Sequence, residues 1–253
     1  MNRIQTVFKH KKGLLNMYLT AGYPALESLP EFALNLFKHG VDILEVGMPY
    51  SDPLADGPVI QNTSAIALRN GIKIPMIFDQ IKKIRKREKK APIFLMGYLN
   101  QLLQVGVESF LQKCKESEVD GLIVPDLPYN VYLANYQPLF KQYGIAISFL
   151  ITPQTPEDRI KALDKVCNSF LYIVSDNSIT GSTKGLFSGT QLAYFKRIKQ
   201  INLSNPTMIG FGISSKNMLL EAFNYANGAI IGTAYLEAIR NNEEEAFIDA
   251  LTR

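Results

Sequence analysis

Residues 26–47 read LESLPEFALNLFKHGVDILEVG. The first part, to Gly40, has the spacing of an amphipathic helix, and Gly40 stands where such a helix stops. VDILEVG (41–47) is then a short, nearly all-apolar run. A strand apolar on both faces belongs to a parallel sheet covered by helices on both sides.

The same pair recurs along the chain. Further apolar runs are LLNMYLT (14–20), PIFLMGY (92–98), DGLIVPD (120–126), IAISFLIT (145–152), SFLYIVS (169–175), PTMIGFG (206–212) and GAIIG (228–232). Amphipathic segments such as VESFLQKCKESE (107–118), NVYLANYQPLFKQYG (130–144) and PEDRIKALDKVC (156–167) lie between them, and Gly71, Gly144 and Gly228 stand at expected helix ends. Eight strand–helix units in 253 residues predict an α/β fold of the closed (β/α)8 TIM-barrel type, a single domain over residues 1–253. The first strand runs into TAGYP (20–24) instead of the G-x-G-x-x-G turn of an open dinucleotide-binding sheet. The Ser-, Thr- and Gly-rich stretch SDNSITGSTKGLFSGTQ (175–191) reads as a lid after strand six.

Composition narrows the function classes. At 47% hydrophobic and 20% charged, the chain is far from a disordered composition. Two cysteines, Cys114 and Cys167, make no disulfide framework and read as buried inert thiols; with two histidines, His10 and His39, no metal site is expected. The net charge of +4 comes from one run, KKIRKREKK (82–90), with seven Lys or Arg against Glu88. That run reads as a solvated helix end complementing the helix dipole, without the interleaved aromatics that stack bases, so no nucleic-acid partner is expected. No apolar stretch is long enough for a signal peptide or a span, which sets the expectation of no membrane and a reducing cytoplasm.

In a barrel of this kind the chemistry sits at the C-terminal strand ends. Strand two ends in EVGMPYSDPLADGP (45–58), with Glu45 in an apolar strand and Asp56 in the loop after it. Burial would lift the Glu45 pKa toward the range useful for proton transfer, while Asp56 in a polar loop should stay ionised and accept a substrate N–H. The alternative makes Glu45 a structural ion pair and Asp52 and Asp56 turn residues. Strands seven and eight end in GFGISS (210–215) and IIGTA (230–234), whose glycines, backbone N–H groups and Ser214, Ser215 or Thr233 hydroxyls suit a phosphate. Thr180 and Gly181 of the lid would close over it, and MGYLN (96–100) and Tyr172 would line an aromatic half opposite.

EVGMPYSDPLADGPVIQ (45–61) resembles the signature of the tryptophan synthase α subunit almost letter for letter, and LTAGYP (19–24), MGYLN, DGLIVPDLP (120–128), ITG (179–181), GFGIS and GAIIGTA (228–234) follow in family order. The resemblance implies cleavage of indole-3-glycerol phosphate to indole and D-glyceraldehyde 3-phosphate. It implies no cofactor on this chain, with indole passed to a β subunit that carries pyridoxal phosphate in an α2β2 complex. By position, Glu45 matches the acid/base catalyst and Asp56 its partner carboxylate. Tyr18, Met96, Tyr98, Ile123 and Tyr172 match the indole pocket; Thr180, Gly181, Gly210, Gly212, Gly232 and Thr233 match the phosphate side. Asp52, Pro53 and Pro128 match the β-subunit contact face. The chain departs from the family at Asp176, where arginine is usual, at Ser178, where glycine is usual, at Gln101, where proline is common, and at Thr233, where serine is more usual.

Overall fold

The structure is a computed structural model that describes residues 2–175 and 186–252. Eight strands close into a barrel in chain order, each parallel to its neighbours: β1 Leu14–Thr20, β2 Ile43–Gly47, β3 Ile93–Met96, β4 Gly121–Ile123, β5 Ala146–Ile151, β6 Leu171–Val174, β7 Thr207–Gly210 and β8 Gly228–Ile231. Pairing of β1 with both β2 and β8 closes the ring. The (β/α)8 expectation holds, and each strand lies within its apolar run, β1 filling its run completely and the others shorter at one or both ends. All seven residues of β1 are buried, as a strand must be when side chains fill the barrel on one face and helices cover the other.

Helices follow the amphipathic segments. Leu29, Ala33 and Leu36 form the buried stripe of α2 (Leu29–Lys38), and Gly40, at φ +87°, ends the turn in a conformation that a side chain resists. Two helices, α3 (Pro58–Arg69) and α4 (Ile74–Arg85), stand between β2 and β3, each with a proline in its first turn. A helix ahead of β1, α1 (Arg3–His10), caps the N-terminal end of the barrel, with Ile4 buried and the Phe8 ring 6.1 Å from that of Phe170. The buried hydrophobic side chains form one contiguous cluster.

Two expectations need correction. Gly228 does not end a helix; it opens β8, where a Cβ would lie 2.6 Å from Leu14 O and from Met208 Cε. The basic run is also not wholly a solvated end. Its Arg85 is 2% exposed and reaches under the barrel, with Nη2 2.5 Å from Asp120 Oδ2, Nη1 2.7 Å from Ala91 O and Nε 2.9 Å from Glu118 O. Asp120 also accepts from Arg3 Nη1 at 3.1 Å and from the Ile93 amide at 2.8 Å, so charge on both sides is matched by fixed partners. Helical spacing places Arg85 on the buried side of α4; only the position of Asp120 at the foot of β4 shows why a cation can stay there.

Candidate active site

Alternation along β2 sends Glu45 and Gly47 to the same side of the strand. Gly47 has no room for a side chain, because the Tyr18 hydroxyl occupies the place a Cβ would take; Gly210 is filled in the same way by the Tyr172 hydroxyl. Two glycines therefore seat two tyrosines across the mouth of the barrel. Tyr18 is the register partner of Glu45 across β1 and β2. Gly210, matched to the phosphate side by resemblance, is thus occupied by the protein's own Tyr172.

Glu45 is fully buried, and its Oε1 accepts from Asn16 Nδ2 at 2.5 Å. Its Oε2 has no partner among the described residues. Burial pushes its pKa up to about 8, and the bond from Asn16 works the other way. Burial thus favours the protonated acid at neutral pH, and no cation pairs with Glu45 among the described residues, as the ion-pair alternative would require. Burial also pushes the Tyr18 and Tyr172 hydroxyls well up, Tyr18 further under the charge of Asp56 and Tyr172 under that of Glu45 once it ionises, so both stay protonated.

Asp56 sits in the loop after β2. Tyr98 Oη donates to its Oδ2 at 2.8 Å and itself accepts from the Ala55 amide at 2.9 Å. Burial raises the Asp56 pKa while the Tyr98 bond lowers it, so this loop is less polar than its sequence suggests. The Tyr98 ring stacks on Tyr50 at 5.2 Å, and Asn100 Nδ2 fixes Tyr50 Oη at 2.8 Å. Gln101 ties the two loops together: it is 4% exposed, accepts from the Tyr98 amide at 3.0 Å and donates to Pro49 O at 3.0 Å.

A pocket open to solvent, with about 620 Å³ of atom-free space in all, lies at this end of the barrel. Tyr18, Asp56, Ile60, Met96 and Tyr172 line one side; Phe211, Gly212, Ser214, Gly232 and Thr233 line the other. The second side starts from a constrained turn. Phe211 and Gly212 take φ of +71° and +76° in succession, and Ser175 Oγ, 2.6 Å from Phe211 O, holds the turn to the end of β6. A bulky residue in that region is rare, and such outliers cluster at functional sites. With Gly232 as its N-cap, the helix Thr233–Asn241 begins at the pocket and directs free N–H groups toward it.

Several expected site residues have other places. Tyr98 does not line the pocket; it supports Asp56 from behind. Ile123 is fully buried in β4 and reaches no pocket wall. Ser215 caps the next helix by accepting from the Met218 amide at 3.3 Å, which leaves its O–H free to donate, but it lies outside the pocket lining. Thr180, Gly181, Asp176 and Ser178 lie outside the described residues. Sequence reading missed Phe211, Ile60, Ile230 and Asn16; of these only Asn16, an amide inside an apolar strand, carries a local signal. No cluster of side chains suited to a metal exists among the described residues.

Comparison with known proteins gives a consistent result. The family model described as "Tryptophan synthase alpha chain" matches residues 4–251. The tryptophan synthase alpha chain of Christiangramia forsetii is 49% identical over 242 residues, covering 96% of this chain and 94% of the relative. That of Karelsulcia muelleri is 46% identical over 98% of this chain and 97% of its own length. Among solved structures, tryptophan synthase subunit alpha from Legionella pneumophila superposes with a TM-score of 0.88 at 30% identity, covering 100% of this chain and 97% of the other. The tryptophan synthase complex of Pyrococcus furiosus contains a chain that matches with a TM-score of 0.85 at 33% identity, over 95% of this chain and 98% of that one.

Proposed function

This chain belongs to the tryptophan synthase α-chain family, lyases that cleave indole-3-glycerol phosphate to indole and D-glyceraldehyde 3-phosphate, and we propose that Glu45 and Asp56 carry that cleavage here. The observation that supports the assignment is a fully buried carboxyl with a raised pKa, Glu45, behind Tyr18 and Tyr172, which line a pocket whose wall also bears a second carboxylate, Asp56.

The reaction is a retro-aldol step. A proton must arrive at indole C3, the bond from C3 to the glycerol side chain must break with its electron pair returning to the ring, and the hydroxyl on the departing carbon must lose its proton as the aldehyde forms. Glu45, protonated below about pH 8, supplies the first proton, and its carboxylate then takes the second. Asp56 accepts the indole N–H and stabilises positive charge that grows on that nitrogen once C3 is protonated. Tyr98 holds Asp56 by one oxygen, which fixes its direction. Tyr18, Met96 and Tyr172 give the ring its apolar wall, while Gly212, Ser214, Gly232 and Thr233 bound the phosphate end. Gly210 contributes by admitting Tyr172, and Ile123 supports the wall from within β4.

The reading takes residues 1–253 as one domain, places no cofactor on this chain and puts pyridoxal phosphate on a β subunit that consumes the indole in an α2β2 complex. The loop between β2 and α3 is the face for that subunit: Leu54 is 92% exposed there, next to Asp52 and Pro53 and two residues along the chain from Asp56. Pro128 belongs to the same face. No helix among the described residues is long and apolar enough to cross a membrane. Two unpaired buried thiols, Cys114 and Cys167, fit the reducing cytoplasm we assign to it.

The test is indole release from indole-3-glycerol phosphate, with and without purified β subunit. Release that rises when the β subunit is added supports the proposal. No indole under either condition rejects it.

A further inference from the structure

We propose that Asn16 is a positioning residue for the cleavage: it holds Glu45 by one carboxyl oxygen and leaves the other as the oxygen that gives and takes the proton. The proposal rests on Glu45 being the proton carrier. Asn16 is fully buried in β1, between the fully apolar neighbours Leu15 and Met17, where an amide is costly unless its polar atoms are used. Its Nδ2 lies 2.5 Å from Glu45 Oε1. Asn16 Oδ1 and Glu45 Oε2 have no partner among the described residues.

An amide N–H can only donate, so Oε1 must accept, and the proton of the neutral acid belongs on Oε2. Asn16 thereby breaks the equivalence of the two oxygens. When the proton leaves, the same N–H faces the new negative charge without having to reorient. The other titratable groups against Glu45 are the hydroxyls of Tyr18 from β1 and Tyr172 from β6, and Asp56 acts on those same two hydroxyls from the β2 loop. The register neighbour on β3, Phe94, adds no charge. Both tyrosines are held protonated, which leaves Asn16 as the side chain that favours the ionised form of Glu45 through a hydrogen bond. Neither Asn16 nor Glu45 is on the pocket wall, and the side-chain bond that Asn16 makes among the described residues is to Glu45, so its influence on substrate runs through Glu45.

The experiment is Asn16→Leu, close in shape and without the donor, in the full chain with its β subunit. The alkaline limb of kcat/KM against pH should move up by about one to two pH units, the equivalent of one hydrogen bond to a charged group. KM should change by less than about twofold while kcat at pH 7 falls about tenfold or more. A carboxyl ¹³C NMR titration of Glu45 without substrate should move in the same direction. Should Asn16→Leu fail to fold, Asn16→Ala, which cannot overpack, is read in the same way. A limb and a titration that stay in place overturn the proposal, and so does a downward shift, which would mean that the amide oxygen accepts from the protonated acid. Glu45→Gln separates the two claims. If it is inactive while Asn16→Leu leaves the titration unmoved, Glu45 stands and Asn16 falls; if it remains active, the reading of Glu45 itself fails.

Discussion

The two ends of the barrel treat a buried carboxylate in opposite ways. At the N-terminal end Asp120 accepts from Arg85, Arg3 and the Ile93 amide, two cations and a backbone donor. At the C-terminal end Glu45 receives one neutral amide and keeps one oxygen unpartnered. Pairing makes the first a fixed part of the scaffold. Withholding partners keeps the second able to exchange a proton near neutral pH, because desolvation then has little to oppose it. On the proposed role of Glu45, reactivity is a matter of how incompletely a charge is satisfied.

Glu45→Gln tests the reactive end most severely. It should lower cleavage by about 10²- to 10⁴-fold without loss of fold, measured as indole release alongside thermal melting. The same variant has a pH signature in stability. Because the folded pKa of Glu45, about 8, lies above its ordinary value of 4.5, its contribution is fully present below about pH 4.5 and is lost as the pH rises toward 8. Glu45→Gln should therefore gain stability relative to the parent chain between those limits, and parallel pH–stability curves would break the comparison.

At the paired end the signature should invert. Asp120→Ala strips two buried or half-buried guanidinium groups of their carboxylate and should cost about 3–5 kcal/mol in denaturant unfolding, with kcat per folded molecule unchanged. A loss of kcat without a loss of stability would erase the distinction between the ends. Asp56→Asn should reduce turnover about a hundredfold while KM holds, since charge on the ring nitrogen develops only after C3 is protonated. Tyr98→Phe is the mildest: removing one donor from Asp56 should cost about tenfold in kcat, and the loss should vanish in an Asp56→Asn background, as a double-mutant cycle would show.

Much of this was legible along the chain. The alternation of apolar runs with helical segments predicts the barrel because each unit declares its own period, and no long-range information is needed to count to eight. Glu45 and Asp56 stand out because one breaks an apolar strand and the other sits in the polar loop after it. Tyr98 and Ile123 were harder. An aromatic or an aliphatic side chain at a strand end looks the same in sequence whether it faces a ligand, a carboxylate or the core, and only its neighbours decide. Ser215 was ambiguous for a related reason: a hydroxyl before a helix serves a cap or a ligand with the same atom.

What the sequence by itself determined is the alternation of eight strands with helices and, for the proposed site, the end of the barrel and the two candidate carboxylates, because local periodicity and a charge out of place are written in neighbouring residues. What only the tertiary structure decided is the partner of each polar group. Asn16 meets Glu45, Tyr98 meets Asp56 and Arg85 meets Asp120 across different strands and loops. Those pairings arise when neighbouring strands pair, β1 with β2, β2 with β3 and β3 with β4, and bring residues distant along the chain into contact in a space with no water to satisfy them, so the raised pKa of Glu45 is a property of the packed barrel and not of its strand.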